Sequence, residues 1–206
     1  MSDSAEHRLI RRLILNDRVW ASIERLENLA RLARDCEVDG AFVECGVAMG
    51  GCLSIMAGMA PDRTVWGFDS FAPMPELTSA DNGDGEAFVG LNCSGTEGAG
   101  AVATTFAAAQ VDMTNVRVVE GWFDETLAAA KAEIGDIAIL RIDCDWYDAT
   151  KLVLDVCHDA VVPGGTVIID DYGSFAGCRK AVDEFRNVHQ CGELHNSDSA
   201  EAYWHV

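Results

Sequence analysis

Ile137-Ala138-Ile139-Leu140-Arg141-Ile142-Asp143 and Thr166-Val167-Ile168-Ile169-Asp170-Asp171 both read as buried strands that end on acid. Apolar runs of this length, rich in β-branched residues, suit a strand covered on both faces. A carboxylate at the end of such a run must be solvated at a cleft, paired with a cation or bound to a metal. In an open α/β sheet the C-terminal edge of the strands is where ligands bind. Asp143, Asp170 and Asp171 at that edge suit a hard divalent cation, Mg²⁺ above all. Helix N-capping by the same aspartates accounts for the Asp170-Asp171 pair about equally well.

The rest of the chain alternates strand and helix. Strands are expected at Ala41–Cys45, Thr64–Asp69, Val116–Val119 and Ala202–Val206, with helices at Gly50–Met59, Phe123–Lys131, Thr150–Ala160 and Cys178–Arg186. This predicts an α/β fold, a mostly parallel sheet with helices on both faces, in one domain spanning 1–206. Residues 1–39 form a helical N-terminal segment, with Val19, Ile23, Leu26, Ala30 and Ala33 at helical spacing. The shorter stretch carrying Leu9, Ile10, Leu13 and Ile14 serves either to cover the site or to mediate association between copies. Residues 72–100 break the rhythm, with glycines at 83, 85, 90, 95, 98 and 100. A connection this long reads as a lid.

Thirty-four acidic residues against 15 basic give a net charge of −19, which disfavours nucleic acid and anionic membranes as partners. No apolar run is long enough to span a bilayer, and the N-terminus lacks the pattern of a secretory signal. The eight cysteines show no C-x-x-C and no zinc spacing, and Cys45, Cys52, Cys144 and Cys157 fall in expected buried elements. A reduced, cytoplasmic protein is expected.

Glu44-Cys45-Gly46-Val47-Ala48-Met49-Gly50-Gly51 follows the first strand and opens a helix. Glycines there let a cofactor approach the backbone, and a helix N-terminus receives negative charge. The spacing Gly46-x-x-x-Gly50-Gly51 is not G-x-G-x-x-G, which weakens a dinucleotide reading. Asp69 ends the second strand, where an acid accepts hydrogen bonds from ribose hydroxyls; capping of the next turn is its structural alternative. Glu44 would be awkward beside a pyrophosphate but suits a cationic donor such as S-adenosylmethionine.

These stretches, together with Gly67-Phe68-Asp69-Ser70-Phe71, Gly121-Trp122-Phe123-Asp124-Glu125-Thr126-Leu127, Arg141-Ile142-Asp143-Cys144-Asp145-Trp146-Tyr147-Asp148-Ala149-Thr150 and Val167-Ile168-Ile169-Asp170-Asp171-Tyr172-Gly173, resemble the macrocin O-methyltransferase family. The match continues through Gly177–Phe185 and spans about residues 40 to 190. The resemblance implies a Rossmann-like class I methyltransferase fold, S-adenosylmethionine as donor, and Mg²⁺-assisted methylation of a hydroxyl on a small molecule or natural product. A sugar, vicinal diol or catechol-like acceptor fits that chemistry. It also implies Asp143, Asp170 and Asp171 as metal ligands and Asp143 as general base. The cofactor would lie on Glu44, Gly46, Gly50, Asp69, Ser70, Gly121, Trp122, Phe123 and Asp143. Asp145, two residues beyond Asp143, is a supporting partner or a substitute ligand. Two departures stand out. Relatives that act on macrolides carry a longer N-terminal region, and Asp148-Ala149-Thr150 stands where the family usually shows Glu-Ser-Thr. A nicotinamide-dependent oxidoreductase and a non-catalytic S-adenosylmethionine-binding protein are the competing readings.

Overall fold

The computed structural model describes residues 4–206. Ser4 caps α1 (Ala5–Leu15) by accepting from the His7 amide, and Ser22 caps α2 (Ile23–Arg34) by accepting from that of Arg25. Each helix buries one stripe: Leu9, Ile10 and Leu13 in α1, and Leu26, Leu29, Ala30 and Ala33 in α2. That is the spacing of a helix with one face on a core. The alternating part follows as β1 (Ala41–Cys45), α3 (Gly51–Met59), β2 (Val65–Asp69), α4 (Gly100–Ala109), β3 (Val116–Glu120), α5 (Phe123–Ile134), β4 (Ile137–Ile142), α6 (Tyr147–Cys157), β5 (Val161–Ile169), α7 (Ala176–Val188), β6 (His195–Asn196) and β7 (Ala202–His205).

The strands form one sheet in the order β3-β2-β1-β4-β5-β7-β6. The first five are parallel; β7 runs antiparallel to β5, and β6 to β7. The expected α/β architecture is therefore present. Helices α1 to α4 bury one face of the sheet, around Leu13, Leu26, Leu53, Phe106 and Ile139. Helices α5 to α7 bury the other, around Leu127, Val153, Phe185 and Trp204. Each such side chain contributes about 1.5–3 kcal/mol on leaving water. Helix α4 has no counterpart in the sequence reading. All eight cysteines are free, and among the described residues no helix is long and apolar enough to cross a membrane.

The chain runs outward from β1 to β2 to β3, then crosses back to place β4 on the other side of β1. The crevice at this reversal, beyond the carboxyl ends of β1 and β4, is where open α/β sheets bind ligands. Cys45 pairs with Phe68 on one side and Ile142 on the other, and Ile142 pairs with Ile169. The next residue on each strand therefore stands abreast of its neighbours: Asp69, Gly46, Asp143 and Asp170. Four separated stretches of sequence meet at one edge.

The long loop is not a bare connection. It contains three short 3-10 turns, Ser79–Asp81, Glu86–Phe88 and Gly95–Glu97, and leads directly into α4. Met74 and Gly90–Leu91 close it by backbone hydrogen bonds, Met74 N to Leu91 O at 2.8 Å and Gly90 N to Met74 O at 2.9 Å.

Candidate active site

A cavity of about 560 Å³ opens at this edge. Glu44, Gly46, Asp69, Ser70, Gly121, Trp122, Phe123, Asp143, Asp170 and Asp171 all line it. Gly50 does not: it sits at the N-cap of α3 with φ +88°, and a Cβ there would crowd Val102 of α4. There it admits the left-handed turn that opens α3. Gly46 is the closest approach of the two central strand ends. A Cβ on it would overlap the backbone carbonyl of Asp143.

Asp69 does more than border the cavity. Its Oδ2 accepts from the amides of Val47 and Ala48, at 2.8 and 2.7 Å, and its Oδ1 from Phe71 N at 2.7 Å. The carboxylate pins the β1–α3 turn and caps its own turn at once. The capping reading of this residue is the one these bonds show, and Oδ1 keeps a lone pair for a further donor. Gly121 follows from the next strand, its amide donating to Asp69 O at 2.9 Å, and sets Trp122 at the mouth.

The centre of the acidic end is Arg141, only 2 % exposed on β4. Its Nη1 donates to Glu44 Oε1 and to Asp143 Oδ2, both at 2.7 Å, and its Nη2 donates to Asp170 Oδ1. Arg25 of α2 reaches the same aspartate, Nη1 to Asp170 Oδ2 at 2.7 Å, and also pairs with Asp198 at 3.2 Å. Both oxygens of Asp170 are thus held by guanidinium groups. The trio expected from sequence, Asp143, Asp170 and Asp171, is not the one the side chains form. Asp143, Asp145 and Asp171 converge instead, with one oxygen of each within 4.8 Å of the others. Asp145 gets there because it adopts φ +58°, a left-handed conformation that aspartate tolerates better than most residues. That turn swings its carboxylate back toward β5.

Burial dominates the proton affinities. It pushes Glu44 up to about 8 against the pull of Arg141, and Asp145 up to about 8 with Asp143 adding repulsion. Asp170 rises to about 7, through burial and Asp143, although Arg141 and Arg25 oppose it. Asp171 is raised well above the usual carboxylate range by burial and by Asp145, Asp143 and Asp170. Among the buried oxygens that have no partner in the described residues, Glu44 Oε2 and Asp171 Oδ2 stand at the cavity. Each is costly to leave unpaired. A ligand ammonium would satisfy the first and a divalent cation the second.

A pH dependence follows. Carboxyls raised in the folded state keep protons that the unfolded chain has released, so their contribution to stability is present below about pH 4 and lost as pH rises through about 7 for Asp170 and about 8 for Glu44 and Asp145. The melting temperature in chelator is expected to fall between pH 5 and pH 8.5, and less steeply in Asp171→Asn. A melting temperature that stays flat would show that the arginines already neutralise the cluster.

Arg18, Val19, Trp20 and Arg25 also border the cavity, a contribution the sequence did not show. Gly51 has no Cβ because one would overlap the Arg18 carbonyl. Arg18 pairs with Glu97 on the long loop at 3.2 Å, so the N-terminal segment touches both the β1–α3 turn and the loop. Trp20, Phe88 and Trp122 line the cavity and are exposed. Arg141 was missed, although a charge inside a buried strand was a signal for it; nothing in the pattern of α2 marked Arg25.

The model of the TylF macrocin O-methyltransferase family matches residues 20–206. The demethyldecarbamoylnovobiocin O-methyltransferase of Streptomyces niveus is 34% identical over 201 residues, covering 92% of this chain and 76% of that one. The mycinamicin III 3''-O-methyltransferase of Micromonospora griseorubida is also 34% identical, over 199 residues, covering 88% of this chain and 76% of the relative. Among solved structures, the O-methyltransferase NovP superposes with a TM-score of 0.77 at 32% identity, covering 89% of this chain and 80% of its own.

Proposed function

Because this chain belongs to the macrocin O-methyltransferase family and is an S-adenosylmethionine-dependent O-methyltransferase, we propose that it methylates a sugar hydroxyl of a neutral glycoside with help from a divalent cation. The observation that carries this reading is the convergence of Asp143, Asp145 and Asp171 beside a pocket whose deepest acid, Glu44, keeps one oxygen unpaired.

The donor, when bound, supplies a methyl group on a cationic sulfonium, already activated for in-line displacement. Glu44 Oε2 suits its ammonium, Asp69 its ribose and Trp122 with Phe123 its base. The acids Asp143, Asp145 and Asp171 offer the hard oxygen ligands that Mg²⁺ prefers, and Asp170, held by Arg25 and Arg141, stands behind them. A cation bound there would supply Lewis acidity that lowers the pKa of an acceptor hydroxyl. Asp143 is the acid best placed to take the hydroxyl proton. Its side chain is 31% exposed, against 6% for that of Asp170. Arg141 fixes one of its oxygens and leaves the other without an intramolecular hydrogen bond among the described residues. The proton passes to Asp143 and on to solvent as the methyl moves from sulfur to oxygen. The side chains hold donor and acceptor in line, which supplies much of the acceleration.

Two features favour a neutral acceptor. The arginines that line the cavity, Arg18, Arg25 and Arg141, are all in ion pairs, so none is free for a phosphate. The rings of Trp20, Phe88 and Trp122 at the mouth suit the apolar face of a sugar or a flat aglycone. The two curated relatives, by name, act on natural products, one of them at a 3'' hydroxyl. The nicotinamide-dependent alternative is set aside, as the Gly46 turn lacks the pyrophosphate spacing and the family is one of methyltransferases.

The test is methyl transfer to a panel of vicinal-diol glycosides and of nucleotide sugars, with Mg²⁺ and with chelator. Transfer to glycosides that chelator abolishes is expected. Full activity in chelator removes the cation, and transfer confined to nucleotide sugars removes the neutral acceptor. Asp69→Ala should weaken donor binding by about 1.5–3 kcal/mol, the range for a hydrogen bond to a charged group. It should also lower the melting temperature, because the amides of Val47, Ala48 and Phe71 lose their acceptor. Unchanged affinity by calorimetry would take Asp69 out of the donor site.

A further inference from the structure

We propose that Asp81, on the long loop and outside the cavity lining, is a positioning residue for the acidic turn between β4 and α6, and through it for Asp145. The proposal rests on the reading of Asp143, Asp145 and Asp171 as the cation site. Asp81 is 1% exposed. Its partners are not arginine or lysine but N–H and O–H groups. Oδ2 accepts from Thr78 N and Thr78 Oγ1, both at 2.9 Å, which closes the capping box of its own short turn. Oδ1 accepts from the amide of Tyr147 at 2.7 Å.

Tyr147 is the first residue of α6, and the helix has no cap of its own. Its N-cap position is Trp146, which makes no side-chain capping bond, and the N-cap of α7, Phe175, makes none either. The loop supplies both from a distance. Asp81 caps α6, and Asp84 Oδ2 accepts from Ala176 N of α7 at 3.2 Å. Gly177, in the first turn of α7, lies so close that a Cβ there would overlap Asp81 Oδ1. Two positive helix ends therefore face one carboxylate.

The capped amide is two residues beyond Asp145. Between them the chain turns tightly, with Trp146 N donating to Cys144 O at 2.6 Å and Asp145 at φ +58°. A left-handed non-glycine residue persists only when its surroundings over-determine it. Strand β4 fixes one side of this turn. On the other side Asp81 fixes Tyr147, while Trp146 Nε1 donates to Pro75 O at 3.3 Å. Release of Tyr147 frees the turn to relax, and Asp145 then swings away from Asp143 and Asp171. The loop thus helps to build the acidic site as well as to cover it.

The experiment compares wild type, Asp81→Ala, Asp81→Asn and Asp84→Ala. Mn²⁺ binding is read by electron paramagnetic resonance without donor or acceptor, alongside kcat and amide exchange at Tyr147. Asp81→Ala is expected to weaken Mn²⁺ binding by about 10- to 100-fold, the usual cost of losing a group that orients a metal ligand, and to speed exchange at Tyr147. Asp81→Asn is expected to keep Mn²⁺ affinity near wild type at some cost in stability, because its amide oxygen still accepts from Tyr147 while the nitrogen that then faces Thr78 cannot accept from the Thr78 amide. Should Asp81→Ala fail to fold, the asparagine variant decides: a loss of Mn²⁺ binding with Tyr147 exchange unchanged overturns the proposal. Asp84→Ala loosens the same loop at α7 and is expected to leave Mn²⁺ affinity intact. Wild-type affinity in Asp81→Ala, or an equal loss in Asp84→Ala, overturns the proposal. If wild type itself binds no Mn²⁺, the cation reading falls instead. The positioning role is then decided by Tyr147 exchange and kcat, and wild-type values of both in Asp81→Ala overturn it.

Discussion

Asparagine at position 143 is expected to lower kcat by about 10²- to 10⁴-fold, the range for loss of a general base, and excess Mg²⁺ is not expected to restore it. An amide oxygen still coordinates a cation and still accepts from Arg141, but it takes no proton. The neighbouring acids separate from Asp143 on the same measurement. Asp145→Asn and Asp171→Asn remove charge from the converging trio, so they should lower activity through weaker metal binding and recover partly as Mg²⁺ is raised. Asp170→Asn should leave the Mg²⁺ dependence close to wild type, because its two oxygens face Arg25 and Arg141. Its effect should be on stability. Initial rates over a Mg²⁺ titration for the four variants decide the matter. Equal rescue of all four would take the base role from Asp143. A Mg²⁺ requirement shifted most by Asp170→Asn would restore Asp170 to the ligand set.

Much of this site was legible because its signals are local. A buried strand announces itself by consecutive apolar residues, and an acid at its end is conspicuous against them. The ends of β1, β2, β4 and β5 could therefore be read from Glu44, Asp69, Asp143 and Asp170-Asp171, and the parallel order of an α/β sheet brings such ends together. The direction each carboxylate takes was not legible. Asp170 is turned away by Arg25, 145 residues distant in the chain, and Asp145 is turned inward by one backbone dihedral. Neither fact leaves a trace in spacing. Asp69 reads as a ligand for ribose, but its bonds to the Val47 and Ala48 amides depend on a turn from another βα unit. Helix α4 escaped for a different reason. Its sequence, Gly100-Ala101-Val102-Ala103-Thr104-Thr105-Phe106-Ala107-Ala108-Ala109, carries no charged face to contrast with the buried one, so an amphipathic pattern has nothing to show. The long loop was marked by its glycines. Its anchoring through Asp81 and Asp84 was invisible, because the amides they cap belong to α6 and α7.

Above about pH 8, where Glu44 and Asp170 are ionised beside it, replacing Arg141 by methionine is expected to destabilise the protein by about 3–5 kcal/mol, the cost of removing one partner from a buried ion pair. That is a large share of the roughly 5–15 kcal/mol that holds a domain folded. The expectation rests on what the guanidinium leaves behind. Glu44, at 1% exposure, and Asp170, at 4%, would lose a buried cation, and Asp143 would lose its fixed hydrogen bond. Arg25 would remain for Asp170 alone. Methionine fills a similar volume, so little of the loss should come from a cavity. Adding Glu44→Gln should return part of it, since the buried acid that depends on Arg141 is then neutral, and the double-mutant cycle would measure the coupling. Arg141→Met should also lose stability more steeply than wild type between pH 5 and pH 8.5, as acids already raised by burial have less to hold their charge. Mg²⁺ should recover little of this, because the cation site lies at Asp143, Asp145 and Asp171 while the orphaned charge sits deeper, at Glu44 and Asp170. Urea unfolding of the single and double variants, with and without Mg²⁺, reads all of these terms. A loss below about 1 kcal/mol, the usual value of an exposed pair, would mean that the acids around Arg141 are already protonated, and that the resident cation at the centre of the site is structural decoration rather than its foundation.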